Sequence, residues 1–249
     1  IGGGVFLIPA LVLFFHLPMI NAVAAGLAAI IATSSAVGSV NVERGTANMR
    51  LGMVLELATV AGALLGSLYA ALLPARVLIG LFGALLALVS VLLWRRPAPV
   101  HDETAASAAG PLDGEYDDPA SGRRVAYRVR RLPVGLGVSF GAGALSGMLG
   151  IGGGVFKVPA LHLFCGVPMK ASAATSNFMI GVTGAASAFL YFSRGDMLPR
   201  PTACIVLGVL AGSLAGTRLN KSLKDSAVRR AFAALTVVLS IQMLRKALH

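Results

Sequence analysis

The sequence predicts an all-α integral membrane protein made of two homologous halves. Apolar residues make up 56% of its 249 positions and charged residues 12%, about half of the charged share of a soluble domain. Four long stretches, 20–42, 52–75, 77–94 and 133–156, contain a single charged side chain, that of Glu56. The third observation is a repeat, because residues 1–96 return as 151–246 without a gap.

The repeat is clearest at its start. Residues 1–6, IGGGVF, return unchanged as residues 151–156, and 14 of the first 24 positions are identical at this offset of 150. An apolar chain that is duplicated, with a glycine-broken segment at the same place in each copy, has the construction of many membrane transporters. We therefore predict a first membrane half over 1–96, a polar charged connector over 97–132 and a second membrane half over 133–249.

Each half contains the same series of apolar pieces. About 20 residues of helix cross a hydrocarbon core of about 30 Å, so the last three pieces of each half predict three full transmembrane helices. We expect the counterpart of the first piece of the second half to precede residue 1. The pieces are 5–15, 20–42, 52–73 and 77–94 in the first half, and 133–149, 155–165, 170–193, 201–219 and 228–248 in the second.

The piece after each triple glycine is too short to cross the membrane. It has about 11 residues, or roughly 16 Å of helix, before Pro18 or Pro168 stops it. Such a piece either completes a broken helix that begins upstream or forms a re-entrant hairpin whose glycine tip lies near the middle of the membrane. Irregular backbone is tolerated at that depth only where protein or a wet cavity surrounds it.

The basic loops favour the hairpin. Residues 95–132 hold seven arginines and residues 218–230 hold five basic side chains, which predicts a cytoplasmic position for both loops. Both can lie on that side only if the short pieces cross an even number of times, and the halves are then inverted-topology repeats. Parallel halves, with five positive charges outside, are the alternative. These topology signals explain the net charge of +11 without a nucleic-acid partner.

The connector is the one hydrophilic stretch of the chain. Six acids lie between Asp102 and Asp118, and five arginines follow between Arg123 and Arg131. Because the stretch has few apolar residues to offset the entropy of ordering, we expect it to be disordered or loosely ordered. An acidic docking segment is the alternative.

The triple glycines are the first candidates for a binding site. Glycine adopts backbone angles that are closed to other residues, and the helix that follows presents unpaired N–H groups and the positive end of its dipole. Two such tips, one from each half, would meet near the middle of the membrane and bind a small anion. Close helix packing by small residues is the alternative. The substrate-binding candidates here are Gly2, Gly3, Gly4, Gly152, Gly153 and Gly154.

Polar side chains near the second tip extend this candidate site. Lys157 lies on the short piece, where a lysine needs a cavity, a partner or a bound anion, and we expect it to be the counter-ion. Hydroxyl and amide groups on the following helix, with one from the first half, either bind the oxygens of the anion or hydrogen-bond the preceding turn. They are Thr175, Ser176, Asn177, Thr183 and Thr33.

Glu56 is the only acid well inside an apolar helix. It is the candidate carrier of a coupling proton, although a position near the interface is the alternative. The sequence contains no metal-binding or catalytic motif, so no metal, no cofactor and no enzymatic activity are predicted. The two cysteines, Cys165 and Cys204, have no counterpart in the other half, and we expect them to be packing residues.

Two motifs carry a resemblance to a known family. Residues 151–161, IGGGVFKVPAL, with residues 174–180, ATSNFMI, and Thr183 resemble the TauE/SafE family of membrane permeases, the sulfite exporter family. The resemblance covers both apolar halves and implies transport of sulfite, of sulfonates such as sulfoacetate, or of related small anions. The first half departs from the pattern, because residues 24–27 read AAGL. The second half is therefore expected to supply most of the polar contacts.

These observations together predict a secondary transporter in the cell (inner) membrane. It would move a small sulfur-containing or organic anion by alternating access around a mid-membrane site, with a proton or a cation as the coupling ion and lipid as its surroundings. The alternatives are a passive anion channel, a membrane scaffold that acts through the charged connector, and a transporter of a cation bound by Glu56.

Overall fold

The computed structural model describes residues 3–94, 110–118, 123–220 and 225–248. Every predicted apolar piece is a helix whose ends lie within three residues of the prediction. The helices are α1 (Gly4–Leu13), α2 (Met19–Glu43), α3 (Met49–Leu72), α4 (Ala75–Trp94), α5 (Leu132–Leu149), α6 (Gly154–Leu163), α7 (Met169–Ser193), α8 (Pro199–Asn220) and α9 (Asp225–Leu248). Two strands, β1 (Gly114–Asp118) and β2 (Arg123–Tyr127), lie in the connector.

Four helices in the described ranges, α2, α3, α5 and α7, are long and apolar enough to cross a membrane. Helix α4 is apolar over the shorter stretch Ala75–Val91. The shortest of the four, α5, has 18 residues and is about 27 Å long. The chain is therefore an all-α membrane protein in its fold class.

The two short helices, α1 and α6, confirm the prediction that the helix after each triple glycine is too short to cross the membrane. Each has ten residues, or about 15 Å of helix. Each is followed by a residue with left-handed backbone, His16 (φ 53°) or Gly166 (φ 70°). A proline lies two residues further on, at the start of the next helix, where its fixed φ is tolerated.

Helices α5 and α6 lie side by side and run in opposite directions. The N–H of Arg130, just before α5, donates to the carbonyl of Cys165, just after α6, at 2.9 Å. At the other end of the pair, Gly153 packs against the carbonyl of Ala142. The two helices therefore form a hairpin with both ends on one side. The turn uses three glycines in the left-handed region that other residues avoid: Gly150, Gly152 and Gly153.

Small residues let α3 approach α5 backbone to backbone. Gly62 and Gly66 of α3 face Gly143 and Gly147 of α5, and a Cβ at any of the four would overlap a carbonyl group of the facing helix. This double small-xxx-small spacing is the usual means of close helix contact in lipid. Because α3 belongs to the first half and α5 to the second, the contact joins the two halves.

Helices that correspond in the repeat also pack against each other. Helix α2 crosses α7 where Ser34 lies against Gly181 and Ile31 lies against Gly184. The residue numbers rise on one helix as they fall on the other, so the pair is antiparallel. When each residue is shifted by the repeat offset of 150, one of these contacts becomes the other.

The pair formed by α4 and α9 repeats this relation with hydrogen bonds. The hydroxyl of Ser90 donates to the carbonyl of Ala233 at 3.4 Å, and that of Ser240 donates to the carbonyl of Gly83 at 2.8 Å. These two bonds are also exchanged by the offset of 150. The contacts of both helix pairs thus follow an approximate two-fold relation between the halves.

The connector contains an ordered β-hairpin, so the expectation of disorder was wrong for these residues. Strands β1 and β2 pair antiparallel from Gly114 and Tyr127 to Asp118 and Arg123. Tyr116 and Tyr127 are only 6% and 3% exposed and pack against apolar residues of α3, α6 and α7. Two buried aromatic rings supply the apolar area that the average composition concealed. The remaining connector residues, 97–109 and 119–122, lie outside the described residues.

Asn48 attaches this hairpin to the start of α3. Its side chain donates to the carbonyl of Leu112 at 2.9 Å and accepts the N–H of Leu51 at 3.0 Å, which caps the helix. The Tyr127 phenol also hydrogen-bonds the Asn48 side chain, and burial raises the pKa of this phenol. The phenol therefore stays protonated near neutral pH. Through these contacts with Asn48, the β-hairpin bridges the two halves.

The α3–α5 contact yields a stability prediction with a matched control on the same helix. Gly143→Ala should destabilise the protein strongly, because its Cβ would overlap the Thr59 carbonyl. Gly141→Ala meets nothing within 4 Å and should be neutral or stabilising by up to about 1 kcal/mol, since alanine favours helix. The measurement is thermal unfolding of each purified variant in detergent. Equal melting temperatures would show that the close approach of α3 and α5 is wrong.

Candidate functional site

The two glycine turns meet where the halves contact each other. A Cβ on Gly4, at the start of α1, would lie 2.7 Å from the carbonyl oxygen of Gly150 and 3.5 Å from Cα of Ile151. The turns therefore pack on each other and leave no space for an anion between Gly4 and Gly150. The buried members of the predicted set are Gly4, Gly152, Gly153 and Gly154.

A cavity of about 580 Å³ lies beside this contact. Gly3 at the start of α1, Thr33 on α2 and Asn177 on α7 face it. It thus brings together three of the predicted binding residues, from both halves. Gly2, also predicted here, lies outside the described residues.

Two isoleucines lie between the cavity and the buried glycines Gly4 and Gly154. A Cβ on Gly4 would lie 2.6 Å from Cδ1 of Ile30, and one on Gly154 would lie 2.7 Å from Cδ1 of Ile180. Ile30 and Ile180 are equivalent in the repeat, and both line the cavity. Ile30 and Ile180 were not predicted as site residues, because an isoleucine in an apolar helix carries no functional signal of its own.

The outer wall of the cavity corresponds to a surface that packs against another helix in the other half, and it is therefore considered separately from the inner wall. Gly212 of α8 lies on the outer wall and is the repeat equivalent of Gly62. Gly62 packs against α5, so the space beside Gly212 corresponds to the position that α5 occupies in the other half. The same argument applies to Gly3, whose repeat equivalent Gly153 packs against Ala142 of α5. We therefore take the rest of the inner wall as the candidate substrate site: Ile30, Thr33, Asn177 and Ile180.

A second polar cluster lies outside the cavity lining. Nζ of Lys157 donates to Oγ1 of Thr183 at 3.0 Å and lies 3.6 Å from Oε2 of Glu56. Oγ1 of Thr183 also lies 2.5 Å from Oε1 of Glu56 and 2.9 Å from the Met179 carbonyl oxygen. The side chains of Lys157 and Glu56 are 0% and 7% exposed. We call Glu56, Lys157 and Thr183 the charged triad.

The charged triad changes the expected role of Lys157. The sequence analysis expected it to be a counter-ion of the substrate, whereas in this structure its nearest anionic group is the carboxylate of Glu56. The partner was missed because α3 meets α6 and α7 only in the folded protein. Glu56 is deeply buried in the protein, and its depth in the membrane stays a prediction.

The remaining predicted binding residues, Thr175, Ser176 and Thr33, lie outside the charged triad. The hydroxyl of Thr175 accepts the N–H of Asn48 at 2.9 Å and therefore holds the start of α3. The hydroxyl of Ser176 is buried without a hydrogen-bond partner among the described residues and faces Gly154. The hydroxyl of Thr33 bonds the carbonyl of Ala29 at 3.1 Å, as membrane serines and threonines often do.

Among the described residues, those that line the cavity carry no ionisable side chain. The groups that they offer to a ligand are hydroxyls, one amide and the backbone of Gly3. Within the described ranges, no group of three or more histidines, cysteines, aspartates or glutamates is placed to hold a metal ion. The chemistry available in the cavity is therefore hydrogen bonding by neutral groups.

Comparison with known proteins decides the family. The sequence profile described as "Sulfite exporter TauE/SafE" matches residues 1–243. The chain belongs to the TauE/SafE family. The resemblance expected from the glycine and ATSN motifs is confirmed, and it extends over nearly the whole chain.

Two relatives of this TauE/SafE protein have been named as transporters. It is 22% identical over 253 residues to "Probable membrane transporter protein YunE" of Bacillus subtilis, covering 98% of this chain and 90% of that protein. It is 27% identical over 186 residues to "Probable membrane transporter protein MamO" of Magnetospirillum gryphiswaldense, covering 68% of this chain and 29% of that protein. No solved structure matches the chain. The TauE/SafE family and the fold together indicate a multi-pass membrane transporter.

The charged triad yields a second stability prediction. Lys157→Leu leaves the Glu56 carboxylate buried without its cation, which should destabilise the protein by about 3–5 kcal/mol. The double variant Lys157→Leu, Glu56→Val copies the repeat-equivalent residues Leu7 and Val206 and should recover most of that loss. Unfolding of both variants in detergent measures the difference. If the single variant is as stable as the native protein, the two side chains are not a charged pair.

Proposed function

We propose that this protein is a secondary transporter that moves a small sulfur-containing or organic anion by alternating access. The observation that carries the proposal is that Thr33 and Asn177, one from each half, face one cavity beside the meeting point of the glycine turns. Transporters built from repeats bind their substrates at such a junction, next to broken or shortened helices.

The character of the cavity wall supports an anion as the substrate. The first N–H groups of α1 have no partner within the helix, and the helix dipole places partial positive charge at the same end. Asn177 adds amide donors, and none of the described residues that line the cavity has a carboxylate. A cation bound by Glu56 is less well supported, because Lys157 already neutralises that side chain.

The two-fold relation between the helix pairs supports an inverted-topology repeat. Equivalent helices α2 and α7 cross antiparallel, as do α4 and α9. If these helices span the membrane, the axis that relates them lies in the membrane plane and the halves have opposite orientations. Each half would then contribute three full transmembrane helices and one short helix. Rocking of one half against the other would expose the cavity to each side in turn.

The family supports the substrate class and the location. Sulfite is the substrate that the description of the matched family names, and the resemblance of the motifs to this family implies sulfonates such as sulfoacetate as well. The basic loops, placed in the cytoplasm by the positive-inside rule, suit a protein of the cell membrane. The domain limits remain those predicted from the sequence, with the connector between two membrane halves.

Transport by reconstituted protein tests this function. Liposomes that contain the purified chain and are loaded with unlabelled sulfite or sulfoacetate should take up the labelled anion by counterflow, and the rate should saturate. Liposomes without protein are the control. Uptake without saturation or counterflow would instead identify a passive channel. No uptake of either anion above the control would contradict the proposed substrate class.

Asn177 yields a site prediction with a matched control. Asn177→Ala removes a hydrogen bond to a charged ligand, which is worth about 1.5–3 kcal/mol, so the affinity for the anion should fall roughly tenfold or more. Asn41→Ala removes the same amide at the end of α2, where it does not line the cavity, and should leave affinity unchanged. Equilibrium binding of labelled sulfoacetate to both variants makes the comparison. Equal affinities would remove Asn177 from the site.

A further inference from the structure

The charged triad occurs on only one side of the two-fold relation. The repeat equivalents of Glu56 and Lys157 are Val206 and Leu7, whereas Thr183 is matched by Thr33. The same local fold is therefore built without these charges in the other half. Because a buried ion pair is itself weak support for stability, packing does not account for the two charges.

The geometry of the pair leaves one carboxylate oxygen available to a proton. Oε2 of Glu56 lies 3.6 Å from Nζ of Lys157, which exceeds the roughly 2.7–2.9 Å of a charge-assisted hydrogen bond. This oxygen has no hydrogen-bond partner among the described residues. Thr183 accepts from Lys157 and can donate its single proton to Oε1 of Glu56. The triad therefore has a ready acceptor for one more proton.

We propose that Glu56 and the transported anion compete for Lys157, so that one proton moves with the anion. When Oε2 of Glu56 takes up a proton from water, the carboxyl becomes neutral and Lys157 gains a net positive charge for the anion. When the proton leaves, the ion pair forms again and the anion is released. This inference rests on the proposed function and adds the coupling ion to it.

Lys157 is connected to the candidate substrate site through its neighbours on α6 and α7. Lys157 follows Gly154 by three residues in α6, and Gly154 contacts Ile180, which lines the cavity. Thr183 lies one turn beyond Ile180 on the same helix. Since the ammonium group ends a flexible four-carbon chain, a change of rotamer can direct it toward the inner wall.

Within the described ranges, Lys157 is the one charged group that faces Glu56. Helices α5, α7 and α2 pack against α3, and α5 carries no ionisable side chain. Lys157 is the one described charge that acts on the Glu56 carboxyl. His162 of α6 bonds the Val167 carbonyl at 2.9 Å instead. The other ionisable residues of these helices lie nearer to the helix ends: Arg50, Tyr69, Lys170, Tyr191 and Glu43.

Binding across pH tests the competition. The probe is labelled sulfoacetate, whose charge is constant well above the ordinary carboxyl pKa. Native protein in detergent should bind it less tightly as pH rises, by up to about tenfold per pH unit once Glu56 loses its proton. Glu56→Gln should keep the low-pH affinity throughout. The double variant Lys157→Leu, Glu56→Val should bind weakly at every pH.

Proteoliposomes test the coupling itself. A pH gradient should drive accumulation of sulfoacetate by the native protein. Accumulation by Glu56→Gln should be at least about tenfold lower than by the native protein. Its counterflow should remain, because counterflow requires no net proton movement. The melting temperature of the double variant Glu56→Val, Lys157→Leu, which lacks both charges, is the control for folding.

The two proposals fail in different ways. If the native protein shows no counterflow of sulfoacetate or sulfite, the proposed function is wrong. If counterflow is present but the pH gradient drives equal accumulation by native protein and Glu56→Gln, transport stands and proton coupling through Glu56 is wrong. An affinity of native protein that does not change with pH would also overturn the competition for Lys157.

Discussion

The architecture depends on one constraint of the lipid environment: every backbone N–H and C=O group in the hydrocarbon layer must be hydrogen-bonded or enclosed. Helices α1 and α6, at about 15 Å each, cannot carry their own ends to water on both sides. Gly4 of the first glycine turn and Gly152, Gly153 and Gly154 of the second are accordingly buried in protein at the contact of the two halves. The α3–α5 contact, where small residues allow backbones to touch, holds the hairpin of α5 and α6 in that place.

Internal symmetry and its violation have separate consequences for the site. The symmetric part is structural: equivalent isoleucines, Ile30 and Ile180, cover equivalent glycines, and equivalent serines bond opposite carbonyls. The asymmetric part is the distribution of charged side chains, because the first half has Leu7 where the second has Lys157. In the proposed alternating-access mechanism, this difference makes unequal two conformations that a perfect repeat would make equal in energy.

The sequence predicted the helices well because their signals are local. Length, absence of charge and the repeat located every helix, and the prolines located the ends of the short ones. The β-hairpin was missed, because Tyr116 and Tyr127 find their apolar partners on helices distant in the chain. The pairing of Lys157 with Glu56 was missed for the same reason. Convergence of the glycine turns was foreseen, but only the packed backbones show that the space lies beside Gly3 rather than between the turns.

The link between Glu56 and Lys157 also bears on how the protein is made. During synthesis α3 leaves the ribosome long before α6, so Glu56 enters the translocon or the bilayer while its cation is still unmade. A lone carboxylate is costly in hydrocarbon, so the neutral carboxyl is the form of Glu56 that costs less before Lys157 is present. When the second half arrives, the salt bridge forms by transfer of that proton to a neutral Lys157 amine, or by its release to water beside a lysine that is already charged. The last stage of membrane assembly is on this view an acid–base reaction.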